Sequence, residues 1–487
     1  MYQTVGDTRD AVRNGEITAV ESIDEALRQL TSANSEIHSL TEIFEEDARR
    51  VAQNIDGRLH AGENLPLAGV PFTVKDNICT PIGKSTAGSR ILADFHAPYS
   101  ATVVDRLLSA GAVCVGKTNL DEFGMGSSTE NSAWGPTKNP WKTTHVPGGS
   151  SGGAAATAAA TRGMIHLGSD TGGSIRQPAA YCGVTGFKPT YGCVSRYGLI
   201  AFASSLDQIG CLQASAEECA LTLQTIGGHD IADSTSVDRP LPPGLDPLQP
   251  RAEGLRIGVP EEYFPEGIDT EISASIDAAL ERFKEIGATV ERVSLPHTVY
   301  ANPVYVLISA AEASSNLARY DGVHYGHRAA DAEGVVDLYS RTRSEAFGAE
   351  VQRRVMVGTF VLSSGYYDAF YNKACKVRNL IRRDFDTVFQ NVDALVCPTS
   401  PVTAFPIGDR IDDPLKLYAV DVLTVPANLA GIPGVSLPAG FSSDSLPIGM
   451  QIYGRPFEDD LVLGLAHAFQ QATDFHVQRP SVCHWEK

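Results

Sequence analysis

Lys75 ends a β-rich run, Val70-Pro-Phe-Thr-Val-Lys75. Two serine–glycine clusters follow it, Pro147-Gly-Gly-Ser150-Ser-Gly-Gly153 and Gly168-Ser-Asp170-Thr-Gly-Gly-Ser174. These residue types can perform acyl transfer, in which a serine hydroxyl attacks a carbonyl while a neighbouring base takes its proton. No histidine accompanies either cluster. An amine can serve as the base when burial brings its pKa from about 10.4 toward neutrality. Side chains alternate along a strand, so Lys75 and its neighbour Asp76 are expected on opposite faces, which denies the amine that carboxylate as a partner. Glycines let backbone approach a ligand closely. The successive N–H groups of Thr171, Gly172, Gly173 and Ser174 can form an oxyanion hole beside a serine. On residue types alone, a solvent-facing lysine stays an open reading, and nothing says which serine attacks.

The elements that must position these groups argue against a flexible linker. Only Arg162 and Asp170 are charged between Thr143 and Ser174, and the clusters bracket Ala154–Ala160, a strong helix former, and the strand-like Met164–Leu167. Val103–Leu108 reads as helix and Ala112–Val115 as strand. Leu255–Val259, a helix from Ile272 to Ile286 and Thr289–Val293 make a strand–helix–strand unit, and Ala394–Cys397, Val435–Leu437 and Ile448–Tyr453 add strands. Near the start, Asn14-Gly15 separates two short helices, and Thr18 with Glu21 forms a capping box for the second. Arg239–Pro250, with five prolines, reads as a surface excursion or linker. The alternation predicts an α/β architecture with a large sheet covered by helices. Residues of about 304–390 are mostly helical in pattern with strands on both sides, so one interleaved domain over 1–487 is expected.

Two motifs mislead. Gly111-Ala-Val-Cys-Val-Gly116-Lys117-Thr118 matches the phosphate-binding loop pattern, but a helix precedes it and its central residues form a strand, so Gly111 is expected to cap a helix. Gly148-Gly-Ser150-Ser-Gly152 matches the nucleophile elbow of α/β-hydrolases, yet its candidate bases, His467 and His476, lie in no turn that marks a site. His324 and His327 lack a third ligand motif, which argues against a metal.

Lys+Arg 39 against Asp+Glu 58 gives 39 − 58 = −19, a charge that repels phosphate backbones. Apolar residues at 43% with charged ones at 20% support a buried core and exclude disorder. The nine cysteines are scattered singly without a C-x-x-C, so small buried hydrophobes in a reducing cytosol are expected rather than a disulfide framework. The acidic residues Asp7 and Asp10 speak against a targeting peptide, and no apolar run is long enough to cross a membrane.

The segments Gly69-Val-Pro-Phe-Thr-Val-Lys75-Asp76-Asn77, Pro147–Gly153 and Gly168–Ser174, continued by Ile-Arg176-Gln-Pro178 to Pro189, resemble the amidase signature family. The likeness covers about residues 65–210. It implies a single α/β/α domain with a large mixed central sheet and a Ser–cis-Ser–Lys triad, with Ser174 as nucleophile, Ser150 as the bridging serine after a cis peptide, and Lys75 as base. Outside the signature, Lys117–Phe123, Ser127–Ser132, Asn316–Gly322, Gly358–Ala369 and Asn428–Gly431 resemble the glutaminase subunits of tRNA-dependent amidotransferases within that family. That branch implies glutamine as substrate, with Asp421 on its ammonium and Arg354 and Tyr305 at its carboxylate end. It also implies a heterotrimer. Ammonia would pass to the B subunit, which binds ATP, magnesium and Glu-tRNA(Gln), with Asp-tRNA(Asn) as a further candidate, while a small C subunit braces the pair. No cofactor is expected in this chain, tRNA is expected to act through the B subunit, and the assembly is expected in the cytoplasm. The competing readings are a stand-alone amidase acting on small amides and a catalytically silent scaffold.

Overall fold

The computed structural model describes residues 3–245 and 247–483. Its strands in chain order are β1 Leu40–Ile43, β2 Pro71–Lys75, β3 Val113–Thr118, β4 Ile165–Asp170, β5 Thr185–Lys188, β6 Gln208–Gln213, β7 Arg256–Pro260, β8 Thr289–Val293, β9 Ala394–Pro398, β10 Gly434–Phe441 and β11 Pro447–Tyr453. They form one 11-stranded sheet in the order β1-β3-β2-β4-β6-β5-β10-β11-β9-β7-β8. The sheet is mixed. β2 runs parallel to β3 and β4, and β7 parallel to β8 and β9, while the central strands pair antiparallel. Every residue of β2, β3 and β4 is buried, the polar Lys75, Lys117 and Asp170 included, because helices cover both faces. Alternate residues of β9 enter opposite cores: Ala394 and Val396 belong to the one that holds Phe72 and Met450, Leu395 and Cys397 to the one that holds Phe385 and Tyr453. Strands from both sides of the helical region thus share one sheet, with layers α/β/α.

Every residue of the helix Gly152–Ala160 is buried. Its small side chains let its backbone lie close to the sheet: a Cβ on Gly153 would stand 2.4 Å from the Asn119 carbonyl oxygen. At the start of the chain the Thr18–Glu21 capping box is formed, but the second helix continues to Ile37, because Leu30, Ala33 and Ile37 prolong its buried stripe. The short strands β1, β5 and β6 escape sequence patterning. In β5, Gly186 and Lys188 interrupt the apolar pattern, and the buried Lys188 amine is satisfied by the carbonyls of Pro189 at 2.9 Å and Ile432 at 2.6 Å.

The proline-rich stretch is not a free linker. Leu245 and Leu248 are buried in the main core, and Arg251 donates its N–H to Gly464 in the last long helix at 3.0 Å; residue 246 lies outside the described residues. The phosphate-loop likeness dissolves as expected. Gly111, at φ +92°, follows the helix Thr102–Ser109, Val113 enters the ladder with β2, and Lys117 donates to the Ile78 carbonyl at 2.6 Å and to Ser85 Oγ at 3.0 Å. Among the described residues, no disulfide joins any of the nine cysteines. Among the described residues, no helix is long and apolar enough to cross a membrane.

Candidate active site

Pairing of Val74 with Leu167 sets Lys75 beside the last residues of β4, so the amine and the loop that follows Asp170 share the carboxyl edge of two parallel strands. Lys75 is fully buried. Its Nζ lies 2.7 Å from Ser150 Oγ, 2.9 Å from Ser169 Oγ and 3.3 Å from the Ser169 carbonyl oxygen. Asp76 turns to the other face, where it accepts from Thr86 N at 3.1 Å and stands 3.7 Å from Lys117. Burial pushes the Lys75 amine down to about 7, against the pull of Asp121, Asp170 and Asp207.

Ser150 follows a cis peptide from Gly149. Its chain neighbour Ser151 donates N–H to the Ser174 carbonyl at 3.1 Å, which stitches the two serine clusters together. Ser174 itself is 8% exposed. Lys75 and Ser150 are in hydrogen-bonding contact, whereas no hydrogen bond joins Ser150 to the Ser174 hydroxyl among the described residues.

The expected row of four oxyanion donors is shortened. Gly173, at φ +130°, donates its N–H to Asp170 Oδ1 at 2.8 Å and so is committed to holding the turn. Among the described residues, no acceptor meets the N–H groups of Thr171, Gly172 or Ser174. Asp170 organises the loop. It also accepts from Ile175 N at 3.2 Å and Asn428 Nδ2 at 2.8 Å, and pairs with the buried Arg176 through Nε at 3.1 Å and Nη2 at 3.2 Å. Burial alone would raise this carboxyl, but Arg176 brings it to about 2. Asp170→Ala would leave the Arg176 guanidinium buried and unpaired, so unfolding in urea should reveal a loss of about 3–5 kcal/mol. A variant with native stability would show that Asp170 does not carry this loop.

The residues expected to hold an amino acid gather against the same loop. The Tyr305 ring lies over Gly172, where a Cβ would stand 2.6 Å from its Cζ, so a side chain at 172 would displace the ring. Thr424 Oγ1 donates to the Gly172 carbonyl at 2.7 Å and lies 3.0 Å from the Asp421 carbonyl, tying the Asp421 segment to the nucleophile loop. Asp421 takes the Ser127 hydroxyl on Oδ2, while its buried Oδ1 has no partner. Burial pushes this carboxyl up to about 7, against the Ser127 hydrogen bond and Arg354. Arg354 packs over the rings of Tyr418 at 4.8 Å and Phe202 at 5.6 Å. Its Nε donates to Glu350 Oε1 at 2.7 Å, an oxygen that also accepts the Tyr418 hydroxyl at 2.5 Å. An orphaned carboxylate oxygen and a buried guanidinium close enough to act on it match the two charges of a zwitterion.

A buried lysine and serine beside a second serine on a glycine loop, at the edge of a mixed sheet, is the arrangement of a serine-dependent amide hydrolase. A family model described as Amidase matches residues 21–463, and the chain belongs to that family. Among its relatives, the A subunit of glutamyl-tRNA(Gln) amidotransferase from Carboxydothermus hydrogenoformans is 52% identical over 482 residues, covering 99% of each chain. The protein of the same name from Moorella thermoacetica is likewise 52% identical over 482 residues, 99% of each chain. The crystal structure of the corresponding A subunit from Thermotoga maritima is 40% identical with a TM-score of 0.76, covering 93% of this chain and 94% of that one. A bacterial aryl acylamidase of the amidase signature family is 26% identical with a TM-score of 0.85, covering 98% and 99%.

Sequence reasoning missed the buried carboxylates of Asp121 and Asp207, and the supporting contacts of Asn77, Ser169, Ser127, Glu350 and Tyr418. Asp170, Arg176 and Ser127 lay inside the motifs quoted, with no role attached. Nothing in the local pattern singled out Asp207, which accepts the Thr171 hydroxyl at 2.7 Å only because β6 pairs with β4.

Proposed function

We propose that this chain is the glutaminase subunit of a glutamyl-tRNA(Gln) amidotransferase. The observation that carries the reading is the zwitterion-matched pair Asp421 and Arg354, joined through Thr424 and Tyr305 to the loop that presents Ser174. The amidase fold by itself does not choose the substrate, since the aryl acylamidase shares it. Asp421 takes the α-ammonium of glutamine, and Arg354 with Tyr305 takes the α-carboxylate, which leaves the side-chain amide at Ser174. As Ser174 Oγ bonds to the amide carbon, its proton passes through Ser150 to the neutral Lys75. The oxyanion meets the free N–H groups of Thr171, Gly172 and Ser174. The proton returns to the leaving nitrogen, the C–N bond breaks and ammonia departs. Water then attacks the ester by the same route and releases glutamate.

Ammonia freed into water is protonated and lost as a nucleophile, so this reading requires a partner to receive it. In the heterotrimer the B subunit binds ATP, magnesium and the mischarged tRNA, and the C subunit braces the pair. The net charge of −19 supports a tRNA held by the partner. The reading places the assembly in the cytoplasm, where charged tRNA is consumed. The test is co-purification from the native source, then a glutaminase assay with and without ATP and charged tRNA. Glutamate release should rise by roughly tenfold when the partners and Glu-tRNA(Gln) are present, the scale of a coupling of about 1–3 kcal/mol between sites. A chain that purifies alone and cleaves small amides at full rate while ignoring glutamine would instead be a stand-alone amidase.

A further inference from the structure

Asn77 is buried beside the base, two residues after Lys75, and has no assigned task. Its carboxamide meets Ser169 Oγ at 3.0 Å through Nδ2, and its other end, Oδ1, has no partner. Ser169 in turn presents both its hydroxyl and its carbonyl to the Lys75 amine, at 2.9 Å and 3.3 Å.

A neutral amine has two N–H donors and one lone pair, and general-base action on Ser150 requires the lone pair to face Ser150. The Ser169 carbonyl can only accept, so it takes one N–H. The second N–H must go to Ser169 Oγ, and the Ser169 proton then needs an acceptor elsewhere. Among the described residues, only Asn77 is placed to provide one. With the amide nitrogen toward Ser169, the Ser169 proton has no acceptor but the amine, which would turn the lone pair away from Ser150. The two ends of a carboxamide have the same shape, and surrounding donors and acceptors decide which faces which. The outer end has no partner as an oxygen, so nothing there holds the amide nitrogen toward Ser169, and the Ser169 end decides.

We propose that Asn77 is a positioning residue that presents its carboxamide oxygen to the Ser169 hydroxyl. It thereby fixes Ser169 as an acceptor for Lys75 and aims the amine's lone pair at Ser150. The inference rests on the assignment of Lys75 as base, and the test keeps the two apart by reading nucleophile activation without glutamine.

The experiment follows the rate at which a fluorophosphonate labels Ser174 in the full chain between pH 5.5 and 9. It compares the native protein with Asn77→Asp, Asn77→Leu, Ser169→Ala and Ser169→Thr, each checked for an unchanged melting transition. Asn77→Asp keeps an acceptor toward Ser169 and adds a negative charge. It should hold the plateau rate and move the acid limb to higher pH. Asn77→Leu and Ser169→Ala should lower the plateau about tenfold, a modest part of what a positioned general base contributes. Ser169→Thr should restore it. Equal losses in Asn77→Asp and Asn77→Leu would overturn the proposal, because they would mean that the amide's donor matters. So would variants whose rate and pH profile match the native protein. If the native chain itself takes no label at any pH, the serine–lysine assignment fails instead.

Discussion

Ser174→Ala should lower glutamine hydrolysis by on the order of 10⁴-fold or more while leaving the melting temperature unchanged. The asymmetry follows from where the hydroxyl sits. Ser174 is 8% exposed and its hydroxyl has no hydrogen-bond partner among the described residues, so its removal orphans no buried group. The backbone contacts of the residue remain: its carbonyl still takes the Ser151 N–H, and its own N–H still faces the oxyanion position. Ser150→Ala is different in kind. It deprives the buried Lys75 amine of its 2.7 Å partner, so some stability should go with the activity. Steady-state rates and melting curves on both variants check this. Retention of hydrolysis in Ser174→Ala would remove the nucleophile from the mechanism.

Lys75 should show as large an effect, with a signature in pH. Its amine is held near 7, so the native rate constant for turnover should fall about tenfold per pH unit below that value and level off above it. Asp421 is pushed to about 7 as well and must be ionised to take the substrate's ammonium. It therefore enters kcat/KM, whereas the bound ammonium holds it ionised in the complex and leaves Lys75 to govern kcat. Asp421→Asn separates the two, removing one limb from kcat/KM and leaving that of kcat in place. A flat kcat from pH 5.5 to 8 would exclude a lysine base. Lys75→Arg should abolish turnover, because a guanidinium stays protonated, and should also cost stability by burying a permanent charge among groups fitted to an amine. Lys75→Met should be equally inactive but not destabilised in that way. A lysine whose folded pKa lies below its unfolded 10.5 binds fewer protons folded than unfolded between about 7 and 10.5. Over that window the native amine's penalty grows as pH falls, and methionine escapes it.

Much of this was legible in the chain itself. The run ending at Lys75 alternates so that Asp76 must face away from it, and that alternation holds once β2 forms. The alanine-rich helix and the glycine loops announced close backbone packing, and the resemblance in the signature distinguished Ser174 from Ser150. The expected α/β layering is present, and every residue of β2, β3 and β4 is buried because helices cover both faces of the sheet.

The tertiary structure decided what depends on long-range pairing. Whether the Lys75 amine is neutral is set by burial weighed against Asp121, Asp170 and Asp207, and these carboxylates reach it from different parts of the chain. Gly173 left the row of oxyanion donors because Asp170 takes its N–H, and the distant Asn428 helps hold that carboxylate in place, while Asp421 comes under the influence of Arg354 only when the helix Ala349–Leu362 packs into the fold. Sequence fixes which groups exist and which way a strand turns them, since those are local properties of the backbone. Charge state and hydrogen-bond commitment depend on what is packed within a few ångströms, and in a sheet whose neighbouring strands lie far apart in the chain, that packing exists only after folding.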